Sequence, residues 1–192
     1  LPGIFRAGEK AVFICAAGKF VFLQRRLYHQ VNRLGIVEIF MRNYEIEDKM
    51  YRKAVELIEK RYPAGWGGAG VVHTSKGNYY TSVSIETANA SAVVCIELGA
   101  MLEAHKFNEK VTHCMCLVRE DENSPYKVLS PCGICQERLR YWGEDVQVAV
   151  TTEENEIRFV ELRELQPYHW TKAYPADELE HWEEKRGLYK GE

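Results

Sequence analysis

Two short motifs constrain this 192-residue chain more than anything else in it: Cys95-Ile96-Glu97, and Pro131-Cys132-Gly133-Ile134-Cys135 further along. Three thiols and one carboxylate in this pattern suit a metal centre with an acid/base beside it. Three protein ligands leave the fourth tetrahedral position of a zinc ion open, which is the arrangement of a catalytic site rather than a closed structural one. Cys132 follows a proline and is expected to open a helix. Cys95 is expected to open another, within a helix running from about Ala92 to Ala104 or His105. Two helix N-termini then aim at one point, and their partial positive charge favours thiolates. Glu97 stands two residues after Cys95. On a first helical turn those side chains diverge, so Glu97 is expected beside the metal as a proton carrier and not on it. The competing reading is a closed four-cysteine site completed by Cys114 or Cys116. A C-x-C on a strand more simply supplies two small core residues.

Charge narrows the partners. The chain carries a net −3 and is 46% hydrophobic, enough for a packed core. Residues 1–43 hold seven bases and two acids, or +5, which leaves −8 for the remainder. An acidic body holds a phosphate backbone poorly, so nucleic acid is not the expected partner. The six cysteines are spaced for metal or free thiols rather than disulfides, which points to a reducing cytoplasm. No run approaches the ~18 apolar residues of a membrane helix. The apolar run Ala11 to Leu23 is cut by Lys19 and lacks a signal-peptide cleavage pattern.

Three segments are expected: an N-terminal leader or arm over 1–43, a zinc-dependent domain over 44–172, and a helical tail over 173–192. The chain opens on Leu1 and its first methionine is Met41. In the leader, Val12 to Ile14 and Phe20 to Leu23 read as a hairpin turning at Gly18-Lys19. Apolar residues at helical spacing predict a helix from Tyr44 to Arg61, stopped by Tyr62-Pro63-Ala64-Gly65. Trp66 to Gly70 reads as a glycine-rich loop. Val71-Val72 and Tyr79 to Val83 read as strands joined by a turn at Ser75 to Asn78. Val111 to Arg119 and Val146 to Thr151 read as strands. Ile157 to Val160 reads as an edge strand or short hairpin arm, and Glu161 to Leu165 as a short helix. A helix from Pro175 to Lys185 completes the tail. Alternating elements of this kind predict a layered α/β domain, a mixed central sheet of about five strands flanked by helices.

The paired motifs resemble the signature of the cytidine deaminase family, Cys- or His-x-Glu followed by Pro-Cys-x-x-Cys. The resemblance covers about residues 44–172. It is nearest to the small, typically homotetrameric cytidine deaminases and to their relative blasticidin-S deaminase. It implies the three-layer fold of that family, one Zn2+ per chain on Cys95, Cys132 and Cys135, and Glu97 as proton shuttle. It implies hydrolytic release of ammonia from a cytosine nucleoside, whether cytidine, deoxycytidine or an analogue such as blasticidin S, in a homotetramer or dimer. Ser84-Ile85-Glu86-Thr87-Ala88 matches the sugar-binding motif, with Glu86 nine residues before Cys95. Trp66 to Gly70 matches the loop that packs on the base. By that resemblance Glu86 and Ser84 meet the sugar, Trp66 meets the ring, and the backbone near Ser130 meets the amino group. Tyr168-His169-Trp170 resembles the end of blasticidin-S deaminase, which implies that Tyr168 and Trp170 close over the pocket of this or a neighbouring subunit; the competing reading is a hydrophobic plug between subunits.

Departures from the pattern cluster around the pocket. Ser84 stands where the family has asparagine, Gly68 where it has valine, Ser82 where it has glycine and Ile96 where it has alanine. Leu98 and Gln136 replace arginines that neutralise ligand sulfurs, leaving Arg138 as a substitute if it turns inward. Two further readings compete: a nucleic-acid-editing deaminase with the same zinc, and a zinc-stabilised nucleoside-binding module without activity.

Overall fold

The computed structural model describes residues 11–16, 19–24 and 36–174, with side chains from Tyr44 onward. The chain divides into two compact units between Ile46 and Glu47. In the first, β1 (Ala11–Ala16) and β2 (Lys19–Gln24) pair antiparallel, with Phe13 opposite Phe22. This is the expected hairpin; its turn at Gly18, the side chain of Cys15 and the expected helix from Pro175 lie outside the described residues.

Helix α1 (Ile36–Arg61) begins before the expected Tyr44 and ends at the expected Arg61. Met50, Ala54 and Ile58 are fully buried along one of its faces. Each large apolar side chain so buried contributes roughly 1.5–3 kcal/mol.

The second unit is built on a six-stranded mixed sheet. Its strands are β3 (Gly67–Thr74), β4 (Tyr79–Ser82), β5 (Val111–Arg119), β6 (Lys127–Leu129), β7 (Gln147–Ala149) and β8 (Phe159–Glu161). The order is β4-β3-β5-β7-β8, with β6 also on β5. Among the described strands only β5 and β7 are parallel; β3 with β4, β3 with β5, β5 with β6 and β7 with β8 are antiparallel. A parallel pair needs a crossover. Here it carries α3 (Gly133–Leu139), extended by a 3-10 turn over Arg140–Trp142. Among the described strands β8 ends the order opposite β4, near the stretch Ile157 to Val160 expected as an edge strand or short hairpin arm. It leads into α4 (Leu162–Leu165), which opens on a reciprocal capping box between Glu161 and Glu164.

β5 lies at the centre, and all of His113 to Arg119 is buried. Alternate residues feed two layers. On one face Val72, Cys114 and Val148 pack with Ala100, Met101 and Ala104 of α2 (Leu98–Lys106) and with Cys135 and Leu139 of α3. On the other, the backbone of Gly67 lies against Ile58 of α1 and Tyr62, the residue just past its end. The expected mixed sheet flanked by helices is therefore present, with six strands.

Two boundaries differ from expectation for physical reasons. The run Gly67 to Gly70 is strand, not loop: it pairs with Cys116 to Arg119 of β5, and its glycines sit where neighbours leave no room for a Cβ. A Cβ on Gly67 would stand 2.9 Å from Ile58 Cγ2, and one on Gly70 would stand 2.7 Å from Glu97 Cα. Helix α2 starts at Leu98 rather than near Ala92. Asn89 caps a separate 3-10 turn at Ala90–Ala92. An antiparallel bridge between Ile85 and Val94 then keeps the chain extended up to Cys95.

Candidate active site

The register of β3 on β5 decides where the site forms. Gly70 pairs with Cys116, and Cys116 pairs on its other side with Leu129 of β6. The backbone of Glu97 lies directly on Gly70. Ser82 Oγ donates to the Ile96 carbonyl at 2.5 Å, and Gly99 lies close on Ser82 Cβ. The start of α2 is thus pinned to β3 and β4 by backbone contact. Cys95 sits on the entry to α2, its carbonyl accepting from Leu98 N–H at 3.2 Å. Cys132 is the extended N-cap residue of α3, directly after the buried Pro131, and Cys135 sits in the first turn.

These elements bring three sulfurs together. The Sγ atoms of Cys95, Cys132 and Cys135 all lie within 4.8 Å of one another, and Cys95 and Cys132 approach to 3.4 Å. Glu97 is only 5% exposed. The Cys135 thiol donates to Glu97 Oε2 at 3.4 Å. Cys114 and Cys116, the expected core pair, are buried in the sheet outside this group.

The electrostatics favour a cation at the centre. Burial pushes the Cys95 thiol up, and its neighbour Cys132 adds to this. Cys135 is pushed well up by burial and then by the Glu97 carboxylate. Cys116 is pushed up by burial and by the charges of Glu97, Cys132 and Cys95. Cys132 also meets a burial cost, but the backbone N–H of Cys135, the two neighbouring thiols and the N–H of Ile134 outweigh it and hold it low. Groups that raise one another in this way are relieved together by a divalent cation. An all-sulfur donor set of three suits a borderline-soft ion such as zinc. The three cysteines therefore form a group able to hold a metal, with one carboxylate against it.

No family model matches this chain, and no curated protein does. Solved structures do. The crystal structure of the cytidine deaminase from Bacillus anthracis is 54% identical, with a TM-score of 0.68, over 71% of this chain and 98% of that one. The chain belongs to the cytidine deaminase family. A point mutant of the cytidine deaminase from Mycobacterium tuberculosis shares the fold at 17% identity and a TM-score of 0.51, over 68% of this chain and 96% of that one. The cytidine deaminase from Burkholderia pseudomallei does so at 17% and 0.50, over 63% and 96%. Family membership makes this chain an enzyme, a hydrolase of C–N bonds. Among the described residues no helix is long and apolar enough to cross a membrane.

Around the thiols, the expected pocket residues are placed unevenly. Trp66 is 45% exposed, edge-on to Tyr62, with its ring over Gly68. Ser130 precedes the buried Pro131 and is tied to Thr151, whose Oγ1 accepts from Ser130 N–H at 3.0 Å. The Pro131 carbonyl accepts from the Gln136 side-chain amide at 2.8 Å. Ser84 is half-buried and Glu86 exposed, on the stretch after β4. Tyr168 is 95% exposed, so the structure does not bring it onto the thiols within one chain. Trp170 lines a groove of about 710 Å³ with Leu98, Met101 and Glu137. His169 anchors this segment, its Nε2 lying 2.7 Å from Glu137 Oε2.

Arg138 is exposed, and Arg140 is held by Glu144, Gln166 and Thr171. The Cys132 sulfur therefore gains the backbone N–H groups of Ile134 and Cys135 at the start of α3 in place of an arginine. Sequence reasoning missed Gly70, whose missing side chain admits Glu97. The signal was there in a glycine inside a run of small apolar residues, but it reads equally as a turn.

Proposed function

We propose that this protein hydrolyses the exocyclic amino group of a cytosine nucleoside, with one zinc held by Cys95, Cys132 and Cys135. The observation that carries the proposal is the buried Glu97 carboxylate, 3.4 Å from Cys135 Sγ in the three-sulfur group. A buried carboxylate whose printed side-chain partner is a thiol rather than a cation is costly to fold unless it serves the site. Zinc at the three sulfurs would supply Lewis acidity, bringing water within reach of deprotonation near neutral pH. Glu97 takes one proton from that water and passes it to the ring nitrogen, then carries the second, from the newly attached hydroxyl, to the departing amine. Water and the amino-bearing ring become the oxo ring and ammonia, so atoms and charge balance.

Trp66 offers an exposed aromatic face against which a flat ring packs. The backbone at Ser130 and Pro131 supports the amino group, with Ser84 and Glu86 toward the sugar. Ser84 and Gly68, where the family has larger residues, favour a changed nucleoside, so blasticidin S belongs in the substrate panel beside cytidine and deoxycytidine. Tyr168, exposed on its own chain, suits closure over a neighbouring subunit in a homotetramer, with 1–43 as an arm, 44–172 as the catalytic domain, 173–192 as a tail, and the cytoplasm as its compartment.

The test is Glu97→Gln. Zinc content should stay at one per chain while ammonia release falls about 10²–10⁴-fold, the range of a general acid/base. A Glu97→Gln enzyme at full rate would end the assignment.

A further inference from the structure

Residues 68 and 96 share one volume. A Cβ on Gly68 would stand 2.8 Å from Ile96 Cδ1, 3.1 Å from Val118 Cγ1 and 3.2 Å from the Trp66 ring. Space beside the Gly68 backbone is thus filled by three side chains from elsewhere, and Ile96 Cδ1 reaches furthest into it. Ile96 directly precedes Glu97, and the hydrogen bond from Ser82 to its carbonyl holds its backbone in place. Gly68 pairs with Val118, two residues along the strands from the Gly70–Cys116 pair that underlies Glu97. That step is about 7 Å and stays on the same face of the sheet. An apolar patch with a half-exposed indole therefore lies one such step along the sheet from the Glu97 backbone. Glycine at 68 and isoleucine at 96, two separate departures along the sequence, are one exchange in space.

We infer that Ile96 is a specificity-determining residue: its Cδ1 methyl, seated over Gly68 between Trp66 and Val118, sets how much ring bulk is admitted next to Glu97. Gly68 is the permissive half of the pair, because only a residue without a Cβ leaves room for that methyl. This rests on the proposed aminohydrolase reading and adds how the site chooses among cytosine nucleosides.

The experiment uses the zinc-loaded full chain and three variants: Ile96→Val, Gly68→Ala and the pair together. Ile96→Val removes Cδ1 alone and keeps the branched β-carbon, so the fold is retained. Its kcat/KM for 5-methylcytidine relative to cytidine should rise about tenfold, at the low end of what one methylene is worth in a pocket. Gly68→Ala should lower kcat/KM for both nucleosides, and adding Ile96→Val should recover about tenfold of that loss. Urea midpoints without substrate should show the same coupling. An unchanged nucleoside ratio in Ile96→Val, from an active wild type, overturns the role of Ile96 alone. Equal effects of Gly68→Ala in both backgrounds overturn the shared volume. A wild type that releases no ammonia from cytidine, 5-methylcytidine or blasticidin S overturns the aminohydrolase reading and this role with it.

Discussion

Gly70→Ala is the sharpest probe of how the site is held. The added methyl would meet Glu97 Cα at 2.7 Å, Glu97 N at 3.0 Å and the Ile96 carbonyl oxygen at 3.0 Å. Ordinary carbon–carbon contact is about 3.5–4.0 Å, so the start of α2 must lift by about 1 Å. No rotamer relieves the clash, because every atom met is backbone. Overpacking of this kind costs about 1–3 kcal/mol. A misplacement of ~1 Å at a catalytic group costs about 10²-fold in rate. The kcat for ammonia release, normalised to folded protein and to bound zinc, should therefore fall by about two orders of magnitude, while the melting temperature falls modestly. Gly133→Ala is the control for stability: nothing lies within 4 Å of its added methyl. In the first turn of α3 it should leave stability unchanged or raise it by up to ~1 kcal/mol. Wild-type kcat and wild-type stability in Gly70→Ala would refute the claim that backbone contact positions Glu97.

Two further tests address the scaffold. His113 is buried, its Nδ1 meets Thr112 Oγ1 at 3.0 Å and its Nε2 has no partner. Burial and then the nearby His73 lower its pKa to about 4. Because the folded pKa lies below the unfolded value of about 6.5, the unfolded chain binds the proton first and stability falls with pH across that window. Urea unfolding should lose about 2–3 kcal/mol from this group between pH 7 and 4.5, and a His113→Gln variant should lose correspondingly less. Equal acid sensitivity in both proteins would refute the assignment. Glu137→Gln removes the carboxylate facing His169. Amide exchange in 169–174 should quicken several-fold with little change in global stability. A large global loss would instead mark this pair as part of the main core.

Much of the site could be read directly because its chemistry is local. The two cysteine motifs carry their own spacing, Pro131 announces the start of α3, and α1 and β5 have clear periodicity. What escaped depends on distant partners. The strand at Gly67 to Gly70 reads as a loop, since a glycine run signals a turn unless one knows that α1 and the start of α2 press on it. The late start of α2 follows from the Ile85–Val94 bridge, which no helical pattern reports. Contact between Ile96 and Gly68 joins positions whose separate departures have no visible link along the chain. The fate of Arg138 was open for the same reason: Arg140, two residues on, is drawn to Glu144, and Arg138 faces outward.

One edge of β5 has two tenants. β6 runs against it at Cys116 to Val118, and β7 runs with it at His113 and Cys114. Between them, at Met115, the tenancy changes hands, and the chain must leave the sheet and return. Cys132 and Cys135 ride on that excursion, while Cys95 arrives from the opposite side over β3. Three sulfurs from two distant stretches therefore meet only after both tenants have docked. In refolding, metal capture should trail sheet assembly, so an ion-sensitive signal should develop later than the far-ultraviolet signal of the backbone.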